Sequence, residues 1–98
     1  MKPLDASELA ELLTTLPDWR HDTGRKAISR EYTFGNFLQA FGFMTKIAIA
    51  SEKSNHHPEW ANMYNRVSIT WTTHDAEGLT QKDIDMAREC DQWFATLK

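Results

Sequence analysis

Only one cysteine, Cys90, stands among the 98 residues. That excludes an intrachain disulfide and a thiolate-rich zinc site, and it suits a reducing compartment. Positive charge is not in excess either. Eleven lysines and arginines against fourteen aspartates and glutamates leave a formal charge of -3, which offers no overall attraction to phosphate backbones or anionic membranes and argues against direct nucleic-acid binding. No apolar run approaches the roughly 20 residues that span a bilayer, and Met1-Lys2-Pro3-Leu4-Asp5 lacks the apolar stretch of a secretory signal. A cytoplasmic location is the expectation. Repeats, linkers and low-complexity tracts are also missing, so the length implies one domain over residues 1–98 with a modest core. The composition, 41% hydrophobic and 26% charged, is that of a folded globular chain.

The hydrophobic pattern then supplies the elements. Asp5-Ala6-Ser7-Glu8 has the form of a capping box, and Leu9, Leu12, Leu13 and Leu16 recur at helical spacing until Pro17. Residues 19–21 and 27–33 flank the polar Asp22-Thr23-Gly24-Arg25, as two strands joined by a turn, with Ile28, Arg30 and Tyr32 on one face. From Thr33 onward Phe34, Phe37, Leu38, Phe41, Met44, Ile47 and Ala48 predict a longer helix to about Ser54 that buries a broad aromatic face. Asn55-His56-His57-Pro58 ends it, because proline disfavours helical backbone in the residue before it. Residues 60–63 can start a strand. Residues 67–73 alternate large or β-branched with small or polar side chains, as a strand buried on one face requires. Thr80-Gln81-Lys82-Asp83 resembles a capping box with aspartate in the glutamate position, opening a third helix whose stripe runs Ile84, Ala87, Cys90 or Asp91, Trp93 or Phe94, and Leu97. This order suggests an α+β fold, an antiparallel sheet with helices on one face.

Residues 52–60, Glu-Lys-Ser-Asn-His-His-Pro-Glu-Trp, concentrate the chemistry of the chain. They set two adjacent imidazoles between a carboxylate, a helix-stopping proline and an indole. Histidine has an unperturbed pKa of roughly 6.5 and exchanges protons near neutral pH. A third, His74, follows the apolar run of residues 67–73. Adjacent histidines alone are only suggestive, since a surface loop can hold them for no chemical purpose.

The whole spacing is more specific: Glu52, three residues, His56-His57-Pro58, five residues, Tyr64, nine residues, His74, eight residues, Asp83. It closely resembles the signature of the pterin-4a-carbinolamine dehydratases. The resemblance extends to Phe41-Gly42-Phe43-Met44-Thr45, Gly78-Leu79-Thr80 and Asp83-Ile84, and covers roughly residues 19–95. It implies a four-stranded antiparallel sheet with about three helices packed on one face, assembled as a homodimer or homotetramer through the sheets and a helix. The activity it implies is that of a hydro-lyase, dehydrating 4a-hydroxytetrahydrobiopterin to quinonoid dihydropterin with no metal and no organic cofactor. Such an enzyme recycles the pterin of aromatic amino-acid hydroxylases. Carried over position by position, His56, His57 and His74 match the three active-site histidines, Glu52 the carboxylate before them and Asp83 the aspartate after them. The resemblance implies that main-chain groups of Asn55, Thr72, Thr73 and Asp75 outline, with the three histidines, the pterin-binding edge, and the shortness of the chain makes an open cleft the expectation.

Roles follow from spacing and chemistry. Glu52 lies four residues before His56, so on one helical turn its carboxylate would orient that ring and raise its basicity; a Glu52–His56 acid–base pair is expected. His74, at the strand end, would be the second acid and protonate the leaving hydroxyl, while His57 binds and positions the pterin. Without the resemblance, Glu52 reads as a solvated helix residue and Asp83 as a helix cap. Trp60 and Trp71 read as core or pocket wall, the phenylalanines at 34, 37, 41 and 43 as core or subunit interface, and Cys90 as an inert buried thiol. Trp71 and Asp75 differ from animal members and favour a microbial homologue. Two other functions compete. Some animal relatives act as dimerisation cofactors of a homeodomain transcription factor, a non-catalytic role that an acidic chain would fill through protein rather than DNA contact. Three histidines and a carboxylate could also hold zinc with an open position, although neighbours such as His56 and His57 point to opposite faces in extended backbone.

Overall fold

The computed structural model describes residues 1–97. Helix α1 (Ala6–Leu13) opens on a complete capping box: Glu8 N donates to Asp5 Oδ1 at 2.8 Å and Asp5 N to Glu8 Oε1 at 3.1 Å. It stops short of Leu16, because the Thr14 and Thr15 hydroxyls donate to the carbonyls of Glu11 and Leu12 and the chain turns. Leu16 is buried all the same, with Trp19. Strand β1 (Arg20–Asp22) begins one residue later than expected, and β2 (Ala27–Thr33) pairs with it antiparallel. In the turn between them Asp22 Oδ1 accepts from Arg25 N at 3.1 Å.

Helix α2 (Phe37–Ser54) starts later than the periodicity predicts. Strand β2 runs to Thr33, and Asn36 in extended backbone caps the helix by accepting from Gln39 N at 2.8 Å. Phe34 is left outside the helix, buried in a ring cluster with Tyr32, Phe43 and Phe94. The buried stripe of α2 is therefore Ala40, Phe43, Ile47 and Ser51, whereas Phe37 and Phe41 are 48% and 54% exposed. The expectation that α2 buries its broad aromatic face is corrected here. Apolar residues surround much of this helix, and periodicity alone does not say which stripe meets the sheet.

Strands β3 (Glu59–Met63) and β4 (Arg66–Trp71) form a hairpin, and a short 3-10 turn (His74–Ala76) leads to α3 (Gln81–Leu97). The sheet is four-stranded and antiparallel in the order β1-β2-β4-β3. Its register sets Ile28 opposite Trp71, Tyr32 opposite Val67 and Ile69 opposite Trp60. These side chains form one face and pack with Phe43, Ile47, Ile84, Ala87 and Cys90 of the helices. The alternate positions, Ser29, Glu31, Ser68 and Thr70, face away from that core. The expected α+β architecture of three helices and a four-stranded sheet is present. One end of β4, the start of β3, the end of α2 and the start of α3 all meet at one rim, and the histidines lie there. Among the described residues no helix is long and apolar enough to cross a membrane.

Candidate active site

Asn55 decides how the two adjacent imidazoles are aimed. It takes the left-handed conformation (φ 51°), which asparagine tolerates, and caps the end of α2, so that His56 N reaches back to the Ser51 carbonyl at 3.1 Å. His56 is thereby turned off the helix path and inward, and Pro58 keeps the helix from resuming. The ring of His56 lies parallel to the indole of Trp71, with centroids 5.6 Å apart and planes 17° apart. Its Nε2 is 2.6 Å from Asp83 Oδ1.

Asp83 is completely buried. Burial of a carboxylate is costly unless its oxygens are satisfied, and here three donors converge on it. Besides His56, the Thr73 hydroxyl donates to Oδ2 at 2.7 Å and Thr80 N donates to the same oxygen at 2.9 Å. The Thr80 bond is the return half of the anticipated capping box, so Asp83 caps α3 and grips His56 at once. A carboxylate only accepts, so the proton of the neutral ring is fixed on Nε2 and the basic lone pair left on Nδ1.

Glu52 pairs with His57, at 2.6 Å between Oε2 and Nε2, and not with His56 as the spacing suggested. The four-residue rule holds only while the backbone stays helical, and the left-handed turn at Asn55 breaks it between the two positions. Both members of this pair are exposed. His74 opens the 3-10 turn rather than ending the strand, since β4 stops at Trp71. Its Nε2 lies 3.2 Å from Glu59 Oε2, and Glu59 Oε1 accepts from Arg25 Nη2 at 2.6 Å. The Arg25 hydrogen bond holds the Glu59 carboxyl below the ordinary glutamate range, against the opposing effect of burial and with help from His74.

Asn55, His56, His57, Thr72, Thr73, His74 and Asp75 line one open cleft of about 270 Å³. The structure thus brings together the seven positions expected to outline a binding edge. Glu52 and Asp83 stand behind the rings they hold. Each of three imidazoles is bonded to its own carboxylate, and each carboxylate comes from a different element. Among the described residues no three or more His, Cys, Asp or Glu side chains are grouped to hold a metal ion. Sequence reasoning missed the Thr73 hydroxyl, the Glu59–His74 contact and Arg25. Thr73 carried a weak signal, ending an alternating strand next to His74. The Arg25–Glu59 contact joins residues 34 apart in sequence and carried none.

Comparison with known proteins identifies the family of the chain. The sequence profile described as pterin 4 alpha carbinolamine dehydratase matches residues 2–93. A relative from Rhizorhabdus wittichii, provisionally named a pterin-4-alpha-carbinolamine dehydratase, is 54% identical over 87 residues, covering 89% of this chain and 90% of its own. One from Burkholderia orbicola, named in the same way, is 52% identical over 88 residues, with 90% and 86% covered. The crystal structure of a transcriptional coactivator/pterin dehydratase from Brucella melitensis superposes with a TM-score of 0.89 at 46% identity, covering 94% of this chain and 98% of that one. A pterin dehydratase-like protein identified as a RuBisCO assembly factor in the alpha-carboxysome shares the fold alone, with a TM-score of 0.69 at 20% identity over 79% of this chain and 89% of that one. On the extent of these matches, the chain belongs to the pterin-4a-carbinolamine dehydratase family.

Proposed function

We propose that the protein is a hydro-lyase that converts 4a-hydroxytetrahydrobiopterin to quinonoid dihydropterin and water by general acid–base catalysis at His56, His57 and His74. The observation that carries this reading is the convergence of three carboxylate-held imidazoles on one open cleft. The reaction removes the proton from N5, breaks the C4a–O bond and forms the C4a–N5 double bond, so it requires a base near N5 and an acid near the hydroxyl. His56 is the base: Asp83 fixes its proton on Nε2, and Nδ1 takes the N5 proton. His74 is the acid and delivers a proton to the leaving hydroxyl, which departs as water. His57, held by Glu52, positions the ring, with main-chain groups of Asn55, Thr72, Thr73 and Asp75 along the pterin edge. Each well-placed acid or base contributes about 10²–10⁴-fold. No metal or organic cofactor enters the scheme.

The role assigned to the protein is cytoplasmic recycling of the pterin of an aromatic amino-acid hydroxylase. Leu38, Phe41 and Ile49 on the outer side of α2, 78%, 54% and 56% exposed, support self-association through that helix into a homodimer or homotetramer. The same apolar face is what favours the second reading, a protein-binding module without catalysis. Dehydration of chemically generated 4a-hydroxytetrahydropterin, followed by ultraviolet absorbance, separates the two. Wild-type acceleration that His56→Ala and His74→Ala each lose is the expected result; a folded wild type no faster than buffer leaves the binding module.

A further inference from the structure

His74 is the most exposed of the three cleft histidines, with 79% of its side chain open to solvent. It sits on a three-residue 3-10 turn. Among the described residues no aromatic ring stacks on it as Trp71 stacks on His56. A ring in that situation exchanges rotamers freely unless something holds it. What holds it is Glu59, the first residue of β3, whose backbone is fixed by its pairing with Thr70. Glu59 is itself held on its other oxygen by Arg25, from the turn between β1 and β2. That turn is fixed in its own right by Asp22.

We propose that Glu59, anchored by Arg25, is a positioning residue for His74 that fixes the orientation and tautomer of its ring for proton delivery into the cleft. This rests on the dehydratase reading of the cleft. Glu59 never touches the substrate and acts only through His74. With one oxygen on a guanidinium and the other on the imidazole, the carboxylate cannot swing away without breaking both contacts. Its depressed pKa keeps it ionised, and so purely an acceptor, throughout the range in which a histidine titrates. The other titratable groups near His74 include the adjacent Asp75, Glu77, whose backbone N–H donates to the His74 carbonyl, and, along the same cleft, His56 and His57.

Two substitutions separate charge from orientation. Glu59→Gln removes the charge and keeps a hydrogen-bonding side chain, whereas Glu59→Ala removes both. The wild-type His74 ring, followed by nitrogen-15 NMR of the imidazoles, is expected to hold its proton on Nε2, facing Glu59, as a single tautomer, and Glu59→Ala to give a mixture of the two tautomers. Arg25→Ala is expected to mix them less. In dehydration assays Glu59→Ala is expected to lower kcat by roughly three- to tenfold with KM within about twofold, part of what one acid–base group supplies, and Glu59→Gln to retain more turnover than Glu59→Ala. A single Nε2-protonated His74 tautomer in Glu59→Ala, as in wild type, overturns the inference, as does wild-type kcat in that variant when wild type is active. A wild type that fails to accelerate dehydration at all overturns the dehydratase reading first and the positioning role with it.

Discussion

Replacing Asp83 with asparagine changes almost no volume and should nonetheless disable the site. The carboxylate accepts from His56 on one oxygen and from Thr73 and Thr80 on the other. Thr80 donates through its backbone N–H, which cannot be turned round, so the amide oxygen of the new side chain must face Thr80 and its NH2 must face His56. His56 Nε2 then has to accept, and the ring proton moves to Nδ1. The nitrogen assigned as base loses its lone pair. Loss of one well-placed base is worth about 10²–10⁴-fold in rate, or about 3–5 kcal/mol of barrier at 1.36 kcal/mol per factor of ten. Folding should suffer less, because all three donors or acceptors keep a partner: about 1–2 kcal/mol for exchanging charge-assisted bonds for neutral ones. Asp83→Ala, by contrast, strands the buried Thr80 N–H and removes a cap, about 2–4 kcal/mol together. Turnover of the carbinolamine, urea unfolding and nitrogen-15 shifts of His56 measure the three quantities. An Asp83→Asn protein with turnover within threefold of wild type, and its His56 proton still on Nε2, would refute the reasoning.

Further consequences concern the rest of the molecule. Asp91 accepts from Trp19 Nε1, the Arg30 guanidinium and the Tyr32 hydroxyl, and burial above all holds the Tyr32 phenol far above its ordinary range, so it remains a donor. Asp91→Ala should therefore cost about 3–4 kcal/mol in urea unfolding, with kcat of the folded protein within twofold, since none of these residues lines the cleft. Burial pushes the Cys90 thiol up to about 12. Iodoacetamide at pH 8 should modify it only as fast as the protein unfolds, and rapid modification of native protein would contradict its burial. The folded state disfavours the thiolate, so whatever stability Cys90 lends is present below the unfolded thiol pKa, about 8.5, and declines as pH rises past it. Leu38→Glu or Phe41→Glu should reduce the sedimenting mass to that of a monomer if α2 carries the self-association; an unchanged mass places the interface elsewhere.

Elements with local signatures were legible in the sequence, and those set by distant partners were not. The capping box at Asp5 and Glu8, the alternation from Val67 to Trp71 and the break before Pro58 each act within a few residues, so their outcome can be read from a short window. The face of α2 could not. Phe37, Phe41, Phe43 and Ile47 all satisfy helical spacing on one side or another, and only contact with the sheet chooses Phe43 and Ile47. The candidate site divides in the same way. The residues round the cleft are named by a linear pattern, but their pairing depends on one left-handed residue, Asn55, which redirects Glu52 from His56 to His57. His56 instead meets Asp83, 27 residues away, because the starts of α3 and β3 converge on the end of α2.

The double duty of Asp83 bears on how relatives of this chain should be interpreted. A relative that abandoned acid–base chemistry could shed His57, His74 or Glu52 cheaply, because all three are exposed and none belongs to the hydrophobic core cluster. Asp83 would be kept by the demands of folding alone. Survival of the aspartate therefore says little about activity, whereas the solvent-facing histidines, which on the proposed mechanism are retained for chemistry, are the informative markers.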